Sequence, residues 1–482
     1  LRLCVKKNFF LQETQNIGYA MNLEEILSGK VGLAGIQLLL NGQASRHLLR
    51  CEIQSMLGDG YRAGAFHLTR AKFKPGRKLL AYFTFPTVDA AGEVGQPIHL
   101  AVVWQKDPGS FSHSDSWNQL QEDVNRAGLS LIQRALWRAI PEQGITLQVW
   151  PFDPEFPQLV RLSDSSYVAG MFASLGIAHE LKQMPVVTPI RYRPGERHVL
   201  RYEIPSAELP PGSGQRLYAK LYEDGQDAAR TFDVANRVVD WLDASDRVLQ
   251  GNRPKVMSQE DGVILYPHAP GIPLSRLLNR SHRWLAIQLR AVGNALAILH
   301  NGPESLRTGL KQNTFANEAK VVRRASEHIQ ILLPETYEKI LEILDKLQEQ
   351  YFHSAQEKPA FTHSDFKADH LLFTPQGLTL IDFDTCTLTD PALDIGKFLA
   401  DLEWWFTLKG ISGVEEAQIE FIKGYSGKGG TDHILDERLA RARLYHILIL
   451  IKIVARRVPI YRKEWGTLTT RMIDRADQLS IL

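Results

Sequence analysis

FTHSDFKADHLLFTPQGLTLIDFDTCTLTDPALDIGKFLADL, residues 361–402, decides how this chain reads. Leu371 to Phe373 and Leu378 to Ile381 are short apolar runs, and Thr-Pro-Gln-Gly lies between them. A Pro and a Gly between such runs mark a turn, so the pair reads as a β-hairpin centred near Gln376. Antiparallel pairing about that centre sets His370 opposite Asp382 at the open end, and Asp365 lies five residues upstream of His370, within reach of the same end. Two carboxylates and an imidazole gathered there can hold Mg²⁺ and accept a proton from a hydroxyl. An isolated H-x-D usually marks no more than a turn or a helix cap. The hairpin and the D-P-x-x-D that follows it make this constellation far more specific.

The order of these residues resembles the catalytic core of protein-kinase-like enzymes, where an H-x-D precedes a strand and a metal-binding Asp. H-S-D at 363–365, I-D-F-D at 381–384 and D-P-A-L-D-I-G at 390–396 resemble the aminoglycoside phosphotransferase and choline kinase superfamily rather than protein kinases. The resemblance implies an α+β, bilobal protein-kinase-like fold with an antiparallel-sheet N-lobe and a mostly helical C-lobe. It implies ATP and Mg²⁺ as cofactors, Asp365 as catalytic base and Asp382 as metal ligand, with His370 or Asp384 as helper. His363 and Asp394 then support the catalytic loop. The chain departs from the pattern at His370, which stands where the family carries Asn; an imidazole is a softer Mg²⁺ partner than an amide oxygen.

Upstream, the sequence repeats. AKFKPGRKLLAYFTF at 71–85 is echoed by IRYRPGERHVLRYEI at 190–204. Each copy reads as strand, Pro-Gly turn, strand, and each is followed by a third strand, IHLAVVWQ at 98–105 and RLYAKLYE at 216–223. A helix is expected after each, near 117–140 and 226–243. Aligning Ala101 with Ala219 sets Lys220 opposite Val102, so only the second copy carries the inward lysine that pairs with nucleotide phosphates in kinase-like N-lobes. The resemblance thus makes 21–150 a degenerate, N-lobe-like cap domain, 181–268 the N-lobe and 269–482 the C-lobe. Residues 151–180 are a connector; its Pro- and aromatic-rich start, VWPFDPEFPQLVRL at 149–162, reads as extended and packed on a neighbour. Asp233 is the expected carboxylate partner of Lys220, and Arg197, beside the turn 194–196, is a candidate phosphate contact.

Beyond Gly271 helical periodicity dominates. Leu285, Leu289, Val292, Leu296 and Leu299 form one buried stripe, and similar patterns recur at 314–332, 335–353, 395–407 and 437–457. His300, at the end of the first of these helices, reads as a packing or capping residue.

Bulk composition narrows the partners. Fifty-six Lys and Arg against 54 Asp and Glu leave a net charge of +2, which offers no general grip on nucleic acid or an anionic membrane. Three widely spaced cysteines, Cys4, Cys51 and Cys386, make neither a disulfide framework nor a zinc site, and a reducing cytoplasm suits them. The apolar run Ile447 to Ile451 is followed at once by Lys452, so it reads as a buried helix. The chain begins with Leu, and Met21 is expected to be the start of translation, with residues 1–20 an upstream extension of the frame.

The expected activity is ATP- and Mg-dependent transfer of phosphate to a hydroxyl of a small metabolite. The acceptor is first a sugar, because an added N-terminal domain and P-G-x-R-x-x-L-R-Y resemble maltokinase-type sugar kinases; an aminoglycoside or a choline-like molecule is the other choice. Asp401, Glu403, Trp404, Trp405, Glu415, Glu416 and Glu420 are the side chains offered to it. The competing reading is a pseudokinase, a nucleotide- or partner-binding module that keeps the fold without the transfer. The sequence specifies no oligomeric state.

Overall fold

A computed structural model describes residues 22–106, 115–129, 134–177, 183–205, 214–245, 249–427 and 433–481. Met21 and the segment before it lie outside the described residues. The chain divides into two compact units, the first Leu1–Glu223 with Pro459–Trp465, the second Asp224–Val458 with Gly466–Leu482. No helix among the described residues is long and apolar enough to cross a membrane.

The first unit opens with helices α1 (Leu23–Ser28), α2 (Gly32–Asn41) and α3 (Gln43–Met56). A five-stranded antiparallel sheet follows, in the order β1 (His67–Lys74), β2 (Lys78–Phe85), β3 (Ile98–Gln105), β5 (Ile145–Val149), β4 (Trp137–Ile140). Alternation decides its faces. Leu79, Ala81 and Phe83 of β2 and Leu100, Val102 and Trp104 of β3 are buried on one side. The second copy of the repeat is a meander of β6 (Val186–Arg191), β7 (Val199–Ile204) and β8 (Gln215–Leu221), paired antiparallel. Both copies therefore contain the expected hairpin and third strand.

Their turns differ. Lys74 pairs with Lys78 around a tight turn, whereas Arg191 pairs with Val199, which leaves 192–198 as a longer loop. That loop is folded inward: Tyr192 Oη donates to the Phe152 carbonyl at 2.6 Å, and His198 Nε2 lies 2.7 Å from Asp153 Oδ2. Gly195 has φ 74, a conformation that only a residue without Cβ adopts freely.

Two local expectations change. The helix expected near 117–140 is α4 (Asp115–Arg126), which Gly128 at φ 68 follows, and 137–140 is strand β4, paired with β5 across the Pro141–Gly144 turn. The connector is not extended: it turns at Val149–Phe152 and Asp153–Phe156, and α5 (Gln158–Ser163) and α6 (Ser165–Ser174) follow, the latter capped by the Asp164 side chain on Ser166 N.

The second unit starts with α7 (Gly225–Ser245), followed by β9 (Leu249–Gly251) and the hairpin β10 (Val256–Ser258) and β11 (Val263–Pro267). Helix α8 (His282–His300) buries Leu285, Leu289, Val292, Leu296 and Leu299, as the periodicity requires. After α9 (Phe315–Ala325) and α10 (Pro334–His353) come the short strand β12 (Ala360–Thr362) and the hairpin β13 (Leu371–Thr374) and β14 (Gly377–Leu380). Strand β15 (Thr387–Thr389) pairs with β12, and four helices complete the unit: α11 (Ala392–Lys409), α12 (Val414–Ser426), α13 (His433–Arg457) and α14 (Trp465–Ile481). Helix α11 is buried on nearly every side. At Gly396 it meets α13 so closely that an added Cβ would lie 2.5 Å from Tyr445 Cβ and 2.7 Å from the Ala442 carbonyl oxygen.

Candidate active site

The hairpin register explains how the site closes. Leu371 pairs with Leu380 and Thr374 with Gly377, so the turn is centred between Pro375 and Gln376 and His370 faces Ile381 rather than Asp382. The expected His370–Asp382 register is therefore off by one residue. The two side chains still meet, His370 Nε2 lying 3.2 Å from Asp382 Oδ2, because Asp382 turns the chain at φ 72 and ψ 64. Ser364, at φ 61, is the other described non-glycine residue with positive φ. Such conformations cost about 1–3 kcal/mol each and persist only where neighbours hold them.

Asp394 holds the turn at Ser364. Its carboxylate, fully buried near the start of α11, accepts from His363 N at 2.7 Å through Oδ2 and from Ser364 N at 2.7 Å through Oδ1. His300 Nε2 lies 3.3 Å from Oδ2, and its Nδ1 is 2.8 Å from Tyr425 Oη. The packing role read for His300 is thus to back the aspartate that fixes the loop. His363 donates from Nε2 to the Ile381 carbonyl at 3.1 Å and accepts the Asp365 N–H at Nδ1, 3.3 Å away, which ties the loop to the end of the hairpin. The first aspartate of D-P-x-x-D, Asp390, accepts from Ala392 N at 3.0 Å and from Arg441 Nε at 2.7 Å, capping α11.

Asp365, His370 and Asp382 form a cluster whose ligand atoms lie within 4.8 Å of one another. Burial pushes the His370 imidazole down to about 3, so it is neutral at pH 7. Its Nδ1 is buried with no hydrogen-bond partner among the described residues and faces Asp365 Oδ2 at 3.8 Å. Two carboxylates and a neutral imidazole with an orphaned nitrogen fit a divalent cation; Asp382 and His370 would hold it, and the cation would neutralise phosphate charge. Asp384, in the turn Phe383–Thr385, is not part of this cluster.

Sequence reasoning missed two lysines. Lys367 Nζ bonds Asp365 Oδ2 at 2.5 Å, and Lys397 Nζ, 9% exposed on α11, lies 3.0 Å from Oδ1. Burial alone would raise the Asp365 carboxyl, but these two ammonium groups hold it well below the usual carboxylate range. The available signal was their spacing, two residues after Asp365 and three after Asp394. The Ala368 N–H donates to Asp401 Oδ2 at 2.9 Å, and Arg457 holds the other oxygen at 2.8 Å.

The remaining candidates lie as follows. Lys220 is half-buried on β8, with Leu217, Ala219 and Leu221 pointing to the opposite, buried face. Arg197 is exposed, its guanidinium 4.8 Å from the centre of the Tyr222 ring. Asp233, 66% exposed on α7, pairs with Arg237 at 3.1 Å. Of the acids offered to an acceptor, Glu403 and Glu415 bind Arg475 at 2.8 and 2.5 Å, and Glu420 binds Arg290 and Lys423. Trp404 is buried, and Lys409 Nζ lies 5.5 Å from the centre of the Trp405 ring.

The sequence model of the phosphotransferase enzyme family matches residues 210–431. Among solved structures, the chain is similar to the GDP and kanamycin complex of APH(2")-IIIa, at 12% identity and TM-score 0.46, over 65% of this chain and 98% of that one. It is similar to spectinomycin phosphotransferase APH(9)-Ia in complex with ADP and spectinomycin, at 12% identity and TM-score 0.44, over 66% and 97%. It is similar to amicoumacin kinase hAmiN in complex with AMP-PNP and Ca²⁺, at 14% identity and TM-score 0.43, over 65% and 93%. No curated protein matches the chain.

Proposed function

We propose that this chain, whose residues 210–431 belong to the phosphotransferase enzyme family, transfers the γ-phosphate of ATP to a hydroxyl of a small neutral metabolite, a sugar first. The observation that carries the reading is the Asp365–His370–Asp382 cluster, held by a strained loop on the buried Asp394. Structural strain maintained around a set of convergent carboxylates has a purpose in phosphoryl transfer, which asks the protein mainly for positioning and charge neutralisation.

In this reading Asp365 orients the acceptor hydroxyl. The hydroxyl oxygen bonds to the γ-phosphorus, the bond to the bridging oxygen breaks to leave ADP, and the hydroxyl proton passes to Asp365. Lys367 and Lys397 keep that carboxylate ionised beforehand and fix both of its oxygens. Mg²⁺ at Asp382 and His370 supplies neutralisation of the phosphate charge. Residues 181–268 serve as the nucleotide lobe, with Lys220 and Arg197 as phosphate contacts; 269–482 serve as the C-lobe and 21–150 as a cap. The protein works in a reducing compartment, the cytoplasm.

The preference for a neutral acceptor rests on charge. A cationic aminoglycoside or choline needs several carboxylates to spare, yet of the five acids offered Asp401, Glu403, Glu415 and Glu420 are each bonded to arginine, which leaves the exposed Glu416 and, outside that set, Asp365 itself. A sugar asks only for hydrogen-bonding groups and apolar walls.

Calorimetric titration of ATP with MgCl₂ into the wild type and Asp382→Ala, followed by a turnover screen on sugars, aminoglycosides and choline, tests this. Metal-dependent ATP binding is expected in the wild type and lost in Asp382→Ala, with sugar turnover that falls about a hundredfold or more in Asp365→Asn. Absence of ATP binding in both proteins would overturn the reading in favour of a pseudokinase. Turnover of aminoglycosides alone would overturn the sugar.

A further inference from the structure

The face of the first unit's five-stranded sheet opposite its packed core carries an open cavity of about 190 Å³, built entirely from residues of that unit. Strand register defines its floor. Tyr82, Ala101 and Gln148 lie side by side in one row across β2, β3 and β5, and Leu80, Val103 and Thr146 lie in the next. Ala101 and Val103 are small and central, so the larger side chains around them leave a hollow. Lys78 stands at its edge, Trp117 of α4 forms one wall, and Pro154, Glu155 and the Pro194–Gly195 turn close it.

One polar atom of this wall is buried with nothing to bond among the described residues. Thr146 is 4% exposed, and its Oγ1 is buried without a hydrogen-bond partner among the described residues. Gln148 is 7% exposed, and its side chain makes no hydrogen bond among the described residues. Lys78 is half-buried and has no ion pair among them either. Buried polar groups in folded proteins are normally satisfied, and an orphaned hydroxyl facing a hollow, beside an amide and an ammonium with no side-chain hydrogen bond or ion pair, marks a place where a ligand supplies the partners.

The chemistry of the wall selects the ligand. Asp153 is spent: its carboxylate accepts from Glu155 N and Gly195 N at 3.0 Å each and meets His198 Nε2 at 2.7 Å. Lys78 and Glu155 are the remaining charged groups of the lining, and they are opposite in sign. A phosphate or a nucleotide would be repelled by Glu155, and an organic cation by Lys78. The hydroxyls of Tyr82 and Thr146 and the amide of Gln148 each donate and accept, while Leu80, Val103 and Trp117 give apolar surface. We propose that this cavity binds a small neutral polyhydroxylated molecule of monosaccharide size. The site is independent of the phosphotransferase reading, since none of its residues is assigned to transfer.

The test is saturation-transfer NMR and calorimetry on the full chain without nucleotide. The probes are pentoses, hexoses and myo-inositol, with L-glutamine as a zwitterion and inorganic phosphate as an anion. The variants are Thr146→Val, nearly isosteric, and Gln148→Leu. At least one polyol is expected to bind the wild type and Asp382→Ala alike, and to bind about tenfold or more weakly in both cap variants, whose melting curves stay cooperative. Three results would overturn the inference: no polyol binds, only glutamine or phosphate binds, or polyol binding survives both cap variants. A polyol lost in Asp382→Ala but kept in the cap variants would place the sugar at Asp365, leaving the proposed activity standing and this site refuted.

Discussion

Replacing Asp394 by Asn should loosen the catalytic loop from below without touching a reacting atom. The carboxylate accepts two backbone N–H groups at 2.7 Å, one on each oxygen, at a fully buried position. Hydrogen bonds to a charged acceptor contribute about 1.5–3 kcal/mol each. An amide has one oxygen, so one of the two N–H groups would face an NH₂ and lose its partner, while the other would keep a weaker, neutral bond. Ser364, held at φ 61 by one of these bonds, would then also relax. The expected loss is about 3 kcal/mol, a large fraction of the roughly 5–15 kcal/mol that stabilises a domain. Urea unfolding followed by fluorescence reads it as a midpoint lowered by about 1 M or more in the second unit's transition. The same variant should lose most of its turnover while Asp365 and Asp382 remain. An unchanged midpoint with turnover within about twofold of wild type would refute the claim that Asp394 carries the loop.

Lys397→Met removes a buried ammonium that lies 3.0 Å from Asp365 Oδ1, so the carboxyl should titrate higher; the acid limb of the kcat–pH profile is expected to move to higher pH, and an unmoved limb would count against the clamp. Gly396→Ala would press a methyl to within 2.6 Å of His446 N, at the α11–α13 crossing; overpacking of this kind costs about 1–3 kcal/mol and should appear as a lowered melting temperature. His370 and His446 are both buried, and burial pushes each down to about 3 from 6.5. Since the unfolded chain binds the extra protons, stability should be level above pH 6.5 and fall on acidification towards pH 3, by about 1.4 kcal/mol per pH unit for each histidine around pH 5. Denaturation at pH 8, 6.5 and 5 measures the slope, and equal stability at all three would contradict it.

Local sequence was enough for the elements whose signals are local. The leucine stripe of α8, the first P-G hairpin and the third strands form where periodicity and turn residues put them, while the second P-G hairpin opens into a longer loop and the hairpin at 371–380 forms one residue out of register. Asp365, His370 and Asp382 could be brought together on paper because one hairpin joins them, even with the register displaced by a residue. The positive φ of Asp382 repairs that displacement, and no propensity specifies it, because an αL aspartate is held by neighbours distant in sequence. The same limit hid Lys397, whose approach to Asp365 depends on where α11 packs, and the arginines that neutralise Glu403, Glu415 and Glu420. The cap cavity depended on three strands lying in register, with Ala101 and Val103 left small between larger neighbours. Spacing along the chain determined which side chains converge at the candidate site. Packing between elements far apart in sequence decided their charge state, their orientation and the hollows around them, since burial and opposite charges act through space.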